Sequence, residues 1–102
     1  MLKLLVLYPQ PTDVQQFEAD YKKHLELFHE KAGIPTHVKT YTITKMLPTP
    51  EGLPAFYQQF SLPFESLEAL QMAVSTWLQE VGADAIRIST GGAPVVLIGN
   101  ED

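Results

Sequence analysis

The chain contains no cysteine, so no disulfide framework can staple the fold and no thiolate can hold a metal. Positive charge is scarce: seven Lys and Arg stand against twelve Asp and Glu, a net charge of −5. The few basic residues are scattered and not gathered on a stripe, which argues against binding a phosphate backbone, and no nucleic-acid partner is expected. Long apolar runs are also missing. The longest wholly apolar stretch, Leu4 to Tyr8, is far short of the roughly 20 residues that span a bilayer, and Met1-Leu2-Lys3 does not open like a signal peptide. The expectation is a protein without membrane contact in a reducing cytoplasm.

What is present suits a single packed domain over residues 1–102. Hydrophobic residues make up 45% of the chain and charged ones 19%, which excludes disordered and collagen-like chains. At this length roughly two thirds of the surface exposed by the unfolded chain becomes buried, enough for one core.

The opening segment LKLLVLY is apolar on both alternating phases, with Leu2, Leu4, Val6 and Tyr8 on one and Leu5 and Leu7 on the other, and reads as a strand covered on both sides. Pro9 and Pro11 stop it. Thr12 to Gln15 has the form of a capping box, and the helix it opens ends at Gly33 with Pro35 beyond. Residues 36–47 and 55–64 are β-prone and alternate, joined by a turn rich in Pro and Gly. From Glu65 the period changes to that of a helix, with Leu67, Leu70, Val74, Trp77, Leu78 and Val81 on one face and Gly82 as its expected end. Val95 to Ile98 supplies a last strand. The order βαββαβ is that of the ferredoxin-like α+β fold, a four-stranded antiparallel sheet with two helices on one face. The other face needs cover, and a second copy packed sheet to sheet about a two-fold axis supplies it, so a homodimer is expected. Tyr57, Gln59 and Ser61 are expected to meet that partner sheet.

One residue interrupts the apolar logic. On the first helix Val14, Phe17, Tyr21, Leu25 and Phe28 recur at helical spacing, and His24 lies within about half a right angle of the centre of that face. It reads either as a core histidine bonded to a carbonyl or to tyrosine, or as a general acid or base with Tyr21 assisting. The side chains expected to line a ligand space around it are Leu5 and Leu7, Phe17 and Phe28, Phe56, Gln58 and Phe60, and Trp77. Among these Gln58 is the polar one, suited to orienting a ligand or to satisfying backbone at the core edge.

No metal site is expected, because His24 and His29 are five residues apart and diverge on a helix, unlike the i, i+4 pair of zinc helices. Gly91-Gly92 lacks the lysine of a phosphate loop, and no cofactor is expected. A lone inward histidine leaves axial ligation of haem as an alternative.

The opening LKLLVLYPQP, the helix from Phe17 through Tyr21 and His24 to Leu27, the junction Phe64-Glu65-Ser66-Leu67-Glu68-Ala69-Leu70 and the closing GGAPVVLIGNE together resemble the ethyl tert-butyl ether degradation (EthD) family of the dimeric α+β barrel superfamily. That family usually carries an aromatic pair, a spacer and His-x-Pro-Leu in its first helix; here Tyr21 and His24 stand one residue closer, and Glu26 replaces the proline. The resemblance implies a homodimer with a pocket between sheet and helices in each subunit. It also implies relatives that include cofactor-free oxygenases, isomerases, polyketide cyclases and haem-handling proteins. On this reading the protein binds a small hydrophobic or carbonyl-bearing compound and acts on it with His24 in proton transfer, or binds it without chemistry.

Overall fold

The computed structural model describes residues 1–102 and orders them as β1 (Leu2–Pro9), α1 (Val14–Ala32), β2 (Thr42–Lys45), β3 (Phe56–Phe64), α2 (Leu67–Ser75), α3 (Leu78–Ile88) and β4 (Val95–Asn100). The four strands form one sheet in the order β2-β3-β1-β4, and every neighbouring pair is antiparallel. This is the expected ferredoxin-like α+β arrangement, with three helices in place of two. No helix is long and apolar enough to cross a membrane.

The cross-strand register decides which side chains share a face. Leu4 stands opposite Leu62, Val6 opposite Phe60 and Tyr8 opposite Gln58, and directly opposed residues point the same way. That phase is the one the helices cover: Leu4, Tyr8, Phe60 and Leu62 form one core with Phe17, Tyr21 and Phe28 of α1, Leu70 of α2, and Val81, Ala85 and Ile88 of α3. Leu5 and Leu7 therefore point away from the helices, opposite Ser61 and Gln59 on one side and Leu97 and Val95 on the other. Their expected place in a pocket under the helices is corrected by the register. Tyr57 departs from its phase in the opposite sense. A β-bulge between Tyr8 and Pro9 leaves it without a direct partner, and its ring turns to α1, edge-on to Phe17 at 5.6 Å.

Local signals explain the helix boundaries, with three differences from the sequence reading. Asp13, not Thr12, caps α1: its carboxylate accepts from the Gln16 N–H at 3.1 Å, while the Thr12 N–H is taken by the Thr90 hydroxyl. Gly33 closes the helix at φ 70°, a left-handed geometry that favours glycine. The expected strand over 36–47 is reduced to Thr42–Lys45 because the preceding segment is tied to the end of α1. There the buried His29 holds the Ile34 and Pro35 carbonyls through Nδ1, and the Tyr41 hydroxyl reaches its Nε2 at 2.9 Å. The single helix expected from Glu65 to Gly82 is two helices, broken at Thr76 and Trp77, and Gly82 lies inside α3. The Thr76 hydroxyl bonds the Met72 carbonyl at 2.6 Å, satisfying the end of α2 at the break.

The loop after α3 returns to the end of β1. Gly91 approaches Gln10 so closely that a Cβ there would lie 1.8 Å from the Gln10 carbonyl oxygen. This contact fixes Ala93 and Pro94 beside the sheet before β4 begins.

Candidate functional site

Between the covered face of the sheet and helices α1 and α3 lies a pocket of about 550 Å³, within the range of about 300–1,000 Å³ typical of small-molecule sites. Its floor is Leu4, Val6 and Phe60, and its walls include Phe28 and Val81. Val74, Ile86 and Val96 are exposed and mark its mouth, with Val96 retaining 59% of its surface because β4 is an edge strand. Against this apolar lining the polar side chains are His24, Tyr8 and Gln79.

His24 is buried and held from α3. Its Nδ1 lies 2.9 Å from Oδ2 of Asp84, and the other carboxylate oxygen of Asp84 accepts from Arg87 Nε at 2.8 Å. Burial draws the His24 pKa below the ordinary histidine value, outweighing the hydrogen bond and charge of Asp84, which act upward. For Asp84, burial acts upward, and the bonds and charges of His24 and Arg87 overcome it and hold the carboxyl below its usual range. Near neutral pH the pair is thus a neutral imidazole beside a carboxylate. With Nδ1–H donating to Asp84, the lone pair is on Nε2, the geometry of an oriented proton acceptor.

Tyr8 reaches the pocket from the last position of β1 before the β-bulge. Burial first, and the Asp84 charge second, push its pKa well above the ordinary tyrosine value, so its proton stays in place. Tyr21 lies between these two residues, its ring centroid 5.6 Å from that of Tyr8 and 5.5 Å from that of His24. Its hydroxyl is buried without a hydrogen-bond partner and is not on the pocket wall.

The structure brings His24, Phe28 and Phe60 together on the pocket and sets the other candidates elsewhere. Phe17 is packed between Tyr8 and Tyr57, and Trp77 lies edge-on against Phe28 at the helix break. Phe56 is half-buried at the start of β3, where its carbonyl accepts from Gln10. Gln58 is fully buried beneath α1, and its Oε1 accepts from Lys45. Lys45 also meets Glu18 at 2.6 Å, and Tyr57 donates to the same carboxylate, so these residues clamp α1 to the β2–β3 edge. The hydrogen bond to Glu18 and burial push the Tyr57 pKa up to about 12. Leu5 borders a small polar depression on the uncovered face with Lys3, Gln59 and Ser61.

Two residues of the site, Asp84 and Tyr8, were absent from the sequence candidates. Asp84 lies just beyond Gly82, the helix end that the sequence suggests, although Val81, Ala85 and Ile88 at i, i+4 and i+7 carry a helical stripe through it. Tyr8 is on the phase of β1 opposite to the candidates Leu5 and Leu7, and pairing β1 with the phenylalanine-rich phase of β3 identifies it. No group of three or more His, Cys, Asp or Glu side chains is arranged to hold a metal ion. His24 is the one histidine on the pocket wall, and no Lys or Arg stands beside it there.

No family model matches the chain, and no curated protein matches it. A solved structure does: that of an EthD family protein from Bacillus halodurans, at 30% sequence identity and a TM-score of 0.84. The match covers 100% of this chain and 99% of that one, so strands, helices and pocket walls all fall inside it. On that likeness across its whole length, the chain belongs to the EthD family.

Proposed function

We propose that the protein binds a small, mostly apolar compound in the pocket between sheet and helices, and that His24 accepts a proton from it. The observation that carries this reading is the oriented imidazole in an otherwise greasy space: Asp84 engages Nδ1, and burial keeps the ring neutral. An apolar wall binds by area, and a single polar group of defined tautomer gives the bound compound one orientation. The EthD fold supports the small-molecule part of the reading.

The second part concerns assembly. The uncovered face of the sheet carries Leu5, Leu7, Val95 and Leu97, an apolar surface that a second copy would cover. A homodimer packed sheet to sheet would leave both pockets on the outside of the assembly, one under each pair of helices.

Binding without chemistry is the competing reading, favoured by how few polar groups the wall presents. The test is a thermal-shift screen of apolar aromatic compounds, phenols and ketones on the parent and on His24→Gln. A native-state binder raises the melting temperature of the parent. Turnover of the hit that survives His24→Gln refutes the proton-acceptor role, and absence of any shift across the panel refutes the pocket as a binding site.

A further inference from the structure

Tyr8 carries a hydroxyl that the fold does not need. Its ring is held edge-on by Phe17 at 5.4 Å and by Tyr21 at 5.6 Å, contacts that phenylalanine would make equally well. Only 1% of the residue is exposed, yet it lines the pocket. The influences on its ionisation are burial and the charge of Asp84, with no hydrogen bond among them. The hydroxyl, which no group of the protein engages, is free to donate to a compound bound in the pocket. The proton is held firmly, which makes the group a donor. The Tyr21 ring brings the two polar groups near each other, with its centroid 5.6 Å from that of Tyr8 and 5.5 Å from that of His24, and both line the pocket.

We infer that Tyr8 is the oxygen-binding residue of this pocket and that the compound it takes is an apolar, enolisable carbonyl, whose oxygen accepts from the Tyr8 hydroxyl while its α-hydrogen meets His24 Nε2. This rests on the proposed role of His24 as proton acceptor. The step balances without a further reagent. His24 Nε2 takes the α-proton, the C–H electron pair becomes the carbon–carbon π bond, and the carbonyl π pair moves onto oxygen, where the Tyr8 O–H stabilises it. Asp84 carries the opposite duty, stabilising the imidazolium that forms. Returning the proton to carbon regenerates the carbonyl, and returning it elsewhere on the enolate isomerises the compound.

The experiment follows exchange of the benzylic hydrogens of phenylacetone in deuterium oxide by proton NMR, with the parent, Tyr8→Phe and His24→Gln. Propylbenzene, which has the same ring and chain without the oxygen, is titrated in parallel by thermal shift. The parent is expected to accelerate exchange over buffer, and Tyr8→Phe to slow it about a hundredfold, as loss of one oxyanion donor does. Tyr8→Phe is expected to keep the parent's melting temperature and its propylbenzene shift, since the ring contacts remain. Exchange as fast in Tyr8→Phe as in the parent, or no acceleration by the parent, overturns the inference while a propylbenzene shift leaves the binding pocket standing. Undiminished exchange in His24→Gln refutes the proton-acceptor role beneath it, and no propylbenzene shift refutes the pocket itself.

Discussion

The imidazole of His24 on α1 and the carboxylate of Asp84 on α3 meet at 2.9 Å although 60 residues separate them in the chain. The carboxylate acts to raise the imidazole pKa while burial acts, more strongly, to lower it. Asp84→Asn removes the upward influence and leaves burial and Arg87 unopposed. His24 should then titrate at a lower pH than in the parent, read from its ring-carbon proton shifts in an NMR titration. A value that rises or stays fixed would mean that Asp84 does not govern the ring.

Linkage gives the same pair a stability signature. The folded pKa of His24 lies below its unfolded value of 6.5, so under acid the unfolded chain binds the proton first. Stability should therefore be level above 6.5 and fall as the pH drops from there toward the folded pKa. Asp84 adds a later loss. Its contribution is complete above 3.8, the ordinary value of its carboxyl, and disappears as the pH falls through its lowered folded pKa. Urea denaturation across this range should show the upper slope in the parent and a flattened one in His24→Gln. Equal slopes would remove His24 as its source.

Much of this arrangement was legible in the residues and part was not, for separable reasons. Strand and helix periods, the Gly33 stop and the closing apolar run indicate every element except the break between α2 and α3, because each is a local preference that tertiary packing reinforced. The faces of β1 were harder. Both phases of LKLLVLY are apolar, and alternation cannot choose between two greasy sides; only the pairing of Val6 with Phe60 does. Gly82 looked like a helix end and is interior, tolerated because Val81, Ala85 and Ile88 bury the stripe on either side of it. Asp84 was invisible for the same reason. His24 was found because one polar residue among apolar ones at helical spacing survives any error in boundaries.

Two glycines give opposite expectations from the same substitution. At Gly91 a Cβ would lie 1.8 Å from the Gln10 carbonyl oxygen and 2.7 Å from its carbon, backbone atoms that no rotamer change can move aside. Gly91→Ala should cost about 2–4 kcal/mol, and should disturb the pocket wall at Ala93 and Pro94. At Gly82 nothing lies within 4 Å of the added atom, and the residue is inside α3. Gly82→Ala should stabilise by about 0.5–1 kcal/mol through helix propensity. Denaturant midpoints of the two variants test both signs, and equal effects would show that the Gly91 approach is not maintained in solution.

The proposed homodimer is testable at a single cross-strand pair. Leu5 stands opposite Leu97 on the uncovered face, and Leu97 keeps 47% of its surface exposed in the isolated chain. If a partner sheet covers that face, a carboxylate at this point is desolvated among apolar side chains, at a cost too large for a sheet-to-sheet contact to absorb. Leu97→Asp should then run as a monomer in sedimentation while the parent runs at twice the chain mass. The same change at Val14, exposed at the start of α1 on the helical side, should leave the dimer intact. A parent that is monomeric at micromolar concentration, or a Leu97→Asp variant that still dimerises, would rule out packing through this face and leave its apolar side chains to be explained by another partner.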